Sequence, residues 1–313
     1  MSHPTSTPAP HAATDGDDDR LTRFLLQAAG VRGVHVRLDE TWARIRERAG
    51  GGKDAPAAVT EMLGEAAVAA ALFTGHAKID GRLSVQLRGN GPLRTLFAEC
   101  TAAGTLRGIA QVNDDAPLPR DLRALGADAV LAITIENPAA AGREPVRYQG
   151  LVALESESLA GAFEDYFRQS EQLPTRLLLA ADGNRASGLM LQKLPGDGGD
   201  DDGWNRAGAL FETLSPDELL AWPAATVLRR LFHEDGVEVL GHRSLRFACS
   251  CSRDRVASML QSLGQDEARA AAADGDAEVR CEFCGERYRF RAGEIEALFP
   301  AGTVTVEAPG RVQ

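Results

Sequence analysis

The stretch Cys249-Ser250-Cys251, followed after residues 252–280 by Cys281-Glu282-Phe283-Cys284-Gly285, decides how the C-terminal part of this chain folds. Two close cysteine pairs, far apart in sequence, supply what a tetrahedral four-thiolate zinc site needs: two soft ligands from each of two short turns. The second pair has the usual two-residue spacing, and Gly285 after it permits the positive φ that turns backbone amides towards the sulfurs. The first pair has one residue between its cysteines. In an extended segment that spacing puts both sulfurs on one side, and it also lets them oxidise to a tight disulfide. Four readings compete: a zinc site that is also redox-active, a closed and inert zinc ribbon, two permanent structural disulfides, and an iron–sulfur cluster. The ligand count and the odd first pair favour the first reading. Permanent disulfides would need a secretory context, and neither spacing follows a ferredoxin pattern.

Working outward, 313 residues allow one large domain plus a smaller module, or two moderate domains. The composition, 44% hydrophobic and 25% charged, is that of an ordinary globular protein. A net charge of −11 argues against nucleic-acid binding, which needs a basic face. The fifth cysteine, Cys100, stands alone and reads as a small buried apolar residue. The N-terminus lacks the basic start and apolar run of a signal peptide. The longest unbroken apolar run, Ala66 to Phe73, is too short to span a bilayer. The expectation is a cytoplasmic protein with reduced thiols and no membrane partner.

Residues 1–19 read as a disordered tail, with His3 and His11 solvated. Leu21, Phe24, Leu25 and Ala28 have helical spacing, closed by Gly30. Val31 to Leu38 reads as a strand, and Asp39 as the cap of a helix carrying Trp42 and Ile45. After a Gly50-Gly51-Gly52 loop, Pro56 starts a long alanine-rich helix to about Thr74 whose small residues suit close packing. Strands follow at Leu83–Leu87, Leu93–Cys100, Leu106–Val112, Ala129–Ile135 and Arg147–Leu154, then a helix over Glu157–Leu173. A hairpin around Asp182-Gly183-Asn184 closes a core domain spanning 20–195. Strands in runs, with few crossovers, give an α+β class with antiparallel-rich sheets.

Residues 196–203, a glycine- and aspartate-rich run, read as a boundary whose like charges cannot pack. It opens a helical linker over 196–244. There Leu210, Leu219, Leu220, Leu228 and Leu231 form stripes that are first of all packing faces and secondly a candidate binding surface. The linker leads into a small domain at 245–300 and a mobile tail at 301–313. His242 reads as a bystander beside four thiolates. Tyr288 and Phe290 alternate after the second pair and are placed over the metal, with Arg253, Arg255, Arg280 and Arg287 adding positive charge nearby. So small a core generally needs a staple, which bound zinc would supply.

The chain resembles the heat-shock protein 33 family, the 33 kDa chaperonins. The resemblance rests on Phe247-Ala248-Cys249-Ser250-Cys251-Ser252-Arg253, on Cys281-Glu282-Phe283-Cys284-Gly285 with Tyr288 and Phe290, and on Arg147-Tyr148-Gln149-Gly150. It rests also on Glu164-Asp165-Tyr166-Phe167, on Ser170-Glu171-Gln172-Leu173-Pro174-Thr175 and on Leu231-Phe232-His233-Glu234. It implies a non-enzymatic, redox-regulated chaperone. In the reduced form one zinc ion sits on Cys249, Cys251, Cys281 and Cys284 and the chaperone is inactive. Oxidants, with unfolding stress, form the disulfides Cys249–Cys251 and Cys281–Cys284. Zinc leaves, the linker unfolds, and exposed apolar surface holds unfolding clients. The resemblance further implies a homodimer when oxidised, and transfer of clients to ATP-dependent chaperones. The first 19 residues and the acidic run depart from the family's pattern. The competing reading is a constitutive zinc-ribbon protein that binds a partner. A thiol oxidoreductase using Cys281 and Cys284 would need a βαβ context that the sequence lacks.

Overall fold

The computed structural model describes residues 18–48, 55–77, 79–113, 118–138, 146–196, 200, 202–273 and 275–299. His3, His11, the Gly50-Gly51-Gly52 loop, half of the acidic run and the C-terminal tail lie outside these residues. The central element is helix α2, Ala57–His76, entered at Pro56. Pro56 suits that place because a helix start needs no amide donor. α2 lies between two sheets, and its alanines from Ala66 to Ala71 are fully buried. Small side chains let both sheets approach: a Cβ on Gly188 would lie 2.4 Å from Val68 Cγ1. By length and hydropathy α2 also passes for a membrane span, although its longest unbroken apolar run is short. In this fold, however, 83% of its most apolar window is buried inside the protein.

The first sheet has the order β10 (Val237–Ser244), β1 (Arg20–Leu26), β2 (Val31–Leu38), β9 (Ala186–Lys193) and β8 (Thr175–Ala181), all antiparallel. The second has the order β11 (Arg246–Phe247), β5 (Thr105–Val112), β4 (Leu93–Thr101), β3 (Arg82–Arg88), β6 (Val130–Asn137) and β7 (Val146–Val152). Only its β11–β5 pair is parallel. This is the α+β, antiparallel-rich architecture that the strand runs led us to expect.

On its far side the first sheet is covered by α4 (Gly203–Phe211), α5 (Pro216–Ala221) and α6 (Ala224–Phe232). Phe24, Leu26, Val31, Leu189 and Leu191 of the sheet join Phe211, Leu219, Val227, Leu228 and Phe232 in one buried cluster. Arg37, only 6% exposed, donates from Nη1 to the carbonyls of Leu220 and Trp222 at 3.2 Å each, tying the end of α5 to β2. The leucine stripes of these helices are therefore packing faces in this state.

Five local expectations need correction. Leu21 to Ala28 do not form a helix; Arg20–Leu26 is strand β1. Leu21 faces the α2 side while Phe24 and Leu26 face α6, so the strand is apolar on both faces and loses the alternation that marks a one-sided strand. Asp39 does not cap α1 (Glu40–Arg48) through its side chain. The Asp19 carboxylate accepts from the amides of Asp39 and Thr41 at 3.0 and 2.9 Å, and Asp39 instead pairs with Arg37 and Arg185. The 157–173 helix is α3 (Leu159–Tyr166) followed by a π turn, Phe167–Glu171, which turns both Tyr166 and Phe167 inward. The helical linker expected over 196–244 ends in a strand, Val237–Ser244, which is β10 and pairs with β1. Within the acidic run, Asp200 does pack: its amide donates to the Ala28 carbonyl at 2.8 Å, and Arg206 offsets its charge.

After β11 come α7 (Arg253–Leu263), α8 (Gln265–Ala270), β12 (Ala277–Arg280), β13 (Arg287–Phe290) and α9 (Ala292–Ala297). Their shared core is Leu260, Ala268, Ala272, Ala277, Phe290 and Ile295. Only three of these side chains are large. That is too little apolar area to carry a module of this length unaided.

Candidate metal centre

The first cysteine pair follows β11, whose parallel pairing to β5 fixes Phe247 beside Leu106. The Ala248 amide continues that ladder to the Leu106 carbonyl at 3.0 Å, so Cys249 leaves the edge of the second sheet directly. Ser252 then caps α7 through its side chain. The second pair sits on the turn between β12 and β13. There the Gly285 amide donates to the Cys281 carbonyl and the Cys281 amide to the Glu286 carbonyl, both at 2.8 Å. Gly285 has φ +71°, the left-handed conformation expected of it.

These two turns bring the four sulfurs together. Each Sγ of Cys249, Cys251, Cys281 and Cys284 lies within 4.8 Å of the others. The Cys249–Cys281 sulfurs are 3.6 Å apart and the Cys251–Cys284 sulfurs 3.2 Å, so all four are free thiols. Four thiolates about 2.3 Å from one zinc ion would form a tetrahedron with edges of about 3.8 Å. The cluster has that size, and a set of four soft donors suits zinc.

The Tyr288 hydroxyl donates to Cys251 Sγ at 3.1 Å. Phe290, on the same face, is buried in the module's core with Arg253 over its ring at 4.2 Å. Burial above all pushes the Cys249 and Cys284 thiols up. Burial also opposes ionisation of Cys251, but the Tyr288 hydroxyl and the other three sulfurs outweigh it and hold that thiol below its ordinary range. Donating to this sulfur pushes the Tyr288 hydroxyl up. Of the arginines singled out in the sequence, Arg255 donates to the Ser250 carbonyl at 2.9 Å, while Arg253 and Arg287 pair with Glu294 and Glu278. His242 is on β10, with Nδ1 3.0 Å from Thr22 Oγ1 on the neighbouring strand β1, in the first sheet and not beside the sulfurs. Cys100 is fully buried in the core, which pushes its thiol up to about 12.

The residues that fix this module to the core were not foreseen. Phe283 packs on Phe97 with Arg107 over its ring at 4.3 Å, and Arg48 of α1 donates to the Cys284 carbonyl at 2.7 Å. The one available signal was an aromatic residue placed inside a tight cysteine turn, where a polar residue would suffice.

The fold and the site define a two-sheet α+β protein carrying a docked four-thiol module. The family described as "Hsp33 protein" matches residues 19–291. The "33 kDa chaperonin" of Ectopseudomonas mendocina (strain ymp) is 42% identical over 308 residues, covering 95% of this chain and 99% of that protein. That of Azotobacter vinelandii is 41% identical over 294 residues, covering 91% and 96%. The crystal structure of the 33 kDa chaperonin from Thermotoga maritima matches the fold with a TM-score of 0.72 at 24% identity, covering 90% of this chain and 97% of that one. The chain belongs to the Hsp33 family.

Proposed function

We propose that this chain is an ATP-independent, redox-regulated holdase, quiet when reduced and active after oxidation. The observation that carries the reading is the set of four reduced sulfurs closing a module whose own core is too small to hold it. Cys249, Cys251, Cys281 and Cys284 are the ligands of one zinc ion. Bound zinc keeps the sulfurs as thiolates, the form that oxidants attack, and staples two turns distant in sequence. Tyr288 supports the same state by donating to Cys251.

Oxidation converts each local pair, Cys249–Cys251 and Cys281–Cys284, to a disulfide. Two thiols and one peroxide molecule give one S–S bond and two waters, so the sulfurs lose the electrons that the peroxide gains. All six sulfur pairings lie within reach in the reduced state, so this pairing rests on the resemblance to the family rather than on proximity. With the ligands consumed the module has no staple. Its docking through Phe283 and Arg48 fails, and unfolding spreads back along the chain through β11 and β10 to α4–α6. The apolar cluster around Phe232, Leu228 and Leu219 then becomes surface for unfolding clients. Oxidised protein pairs as a homodimer and passes clients to ATP-dependent chaperones. A cytoplasmic, reducing compartment is the setting in which such a switch rests in its quiet state. The acidic balance argues against a nucleic-acid partner.

The test is peroxide treatment of the zinc-loaded protein, with released zinc counted by a chromogenic chelator and disulfides located by peptide mapping. Release of one zinc per chain, both local disulfides, and reversal by dithiothreitol are expected. Zinc retained through oxidation of other residues would leave a constitutive zinc-ribbon role in its place.

A further inference from the structure

A second site lies on the core, built by none of the cysteine module's residues. Between the two sheets, where α2 ends, is a cavity of about 360 Å³. That is within the range of small-molecule sites, roughly 300–1,000 Å³. Phe73, Leu83, Ile133 and Ile135 give it an apolar wall, and Phe167 of the π turn closes one side. π turns in helices are frequent at functional sites because they re-aim side chains, as this one re-aims Phe167.

The polar groups converge at one end. Arg32 of β2 lines the cavity and is held in place: Nε donates to Gln192 Oε1 at 3.1 Å, and Nη2 lies 3.0 Å from His76 Nε2. Its hydrogen-bond partners are neutral. Burial, and the cation beside it, push His76 down to about 4, so its ring carries no charge and accepts from the guanidinium. Among the described residues no carboxylate lies within ion-pair distance of Arg32; Glu171 on the rim acts on it only at longer range. At the mouth the Tyr148 and Tyr166 hydroxyls are 3.0 Å apart. Gly150 makes that meeting possible, since a Cβ there would lie 2.5 Å from Tyr166 Oη. A half-desolvated cation without an ion pair, facing an apolar cavity, is a subsite for an anion that brings its own apolar body.

We propose that this cavity binds a small monocarboxylate with an aromatic or branched apolar body, its carboxylate on Arg32 and its body against Phe73, Phe167 and Ile135. One guanidinium matches one carboxylate in charge, and with Nε and Nη2 committed to Gln192 and His76, Nη1 is the group left to meet it. A dianionic phosphate would find no second cation here, and Glu171 would repel it. The same chemistry is presented by a free acid or by the C-terminal residue of a polypeptide.

The test uses the full-length, reduced, zinc-loaded protein and 3-phenylpropionate, followed by calorimetry and by amide NMR shifts at Gly150 and Phe167. The acid is expected to bind with Kd of about 0.1–1 mM, as suits so small a ligand, and its neutral amide about tenfold or more weaker. Arg32→Met, which keeps the packed stem, should bring the acid to the level of the amide. A short peptide ending in phenylalanine, with its free or amidated C-terminus, distinguishes the two sources; binding by either the acid or the free peptide supports the site. Equal binding of acid and amide by the wild-type protein overturns the proposal whether or not the variant folds. So does the absence of any shift at Gly150 and Phe167 with either carboxylate up to about 10 mM.

Discussion

Phe283, in the turn between Cys281 and Cys284, meets Phe97 of the core sheet edge to face, with ring centroids 5.3 Å apart and planes at 68°. The sulfur-bearing turn and the core thus share one aromatic contact, completed by the Arg107 guanidinium. An edge-to-face pair contributes about 0.5–1.5 kcal/mol and an exposed cation–π contact about 0.5–1. Phe283→Ala should therefore weaken docking by about 1–2 kcal/mol and speed peroxide-triggered zinc release several-fold, read with a chelator at fixed oxidant. An unchanged rate would mean that the core does not hold the turn.

Tyr288→Phe removes the hydroxyl donor to Cys251 and nothing else. Burial, which opposes ionisation, then goes unanswered by that donor, and the Cys251 thiol should rise towards its ordinary range. In metal-free reduced protein, alkylation of Cys251 near neutral pH should slow several-fold, measured by mass spectrometry of the peptide. Unchanged alkylation would show that the neighbouring sulfurs alone hold this thiol down.

Removing the metal should leave the C-terminal module folded but marginal, so that it melts well below the two-sheet core and a thermal scan shows two transitions. The remaining pH dependence has a definite sign. Cys249 and Cys284 have raised folded values, so their contribution is present below the unfolded thiol value of about 8.5 and is lost as pH rises through the folded values. Cys251 is depressed, so its contribution is present above the unfolded value and is lost as pH falls through the folded one. Two groups against one leave the metal-free module weaker as pH climbs past about 9. The zinc-loaded module should behave oppositely, because its ligands must be thiolates. The same slope in both forms would contradict the assignment of these sulfurs as ligands.

The four-sulfur cluster was legible because its spacing acts locally: two short turns, two sulfurs each. The long helix α2 was legible too, since Pro56 and the alanine run act within one element. What failed depended on distant partners. Leu21, Phe24, Leu25 and Ala28 have helical spacing, yet β1 is held by β10, with Thr22 opposite His242. No local signal carries that pairing, and a strand covered on both faces shows no alternation. The same holds for Asp39, displaced as a cap by Asp19 from beyond two strands, and for Phe97 and Arg107, which acquire meaning only when Phe283 arrives.

Phe232, the last residue of α6, stacks near Phe24 at 6.4 Å and is fully buried. Phe232→Ala should cost about 3–5 kcal/mol locally and loosen α4–α6 from the first sheet. The reduced, zinc-loaded variant should then bind a hydrophobic dye and suppress aggregation without oxidant. Dye binding without aggregation suppression would place the client surface elsewhere.

Cys100 should stay silent. Burial raises its thiol to about 12, and its sulfur lies in the packed core. In native metal-free protein a thiol reagent should label Cys249, Cys251, Cys281 and Cys284 and spare Cys100 until the core is unfolded. Labelling of Cys100 in the native state would mean that the core opens more readily than its packing implies.

Aggregation of a thermally unfolding client tests the central claim most directly. The client is mixed either with reduced zinc-loaded protein or with protein treated with peroxide at elevated temperature, while released zinc is followed in the same sample. The account predicts that only the oxidised, zinc-free form keeps the client soluble, and that dithiothreitol with zinc restores the quiet state. Equal protection by both forms, or zinc release with no gain in protection, would contradict it.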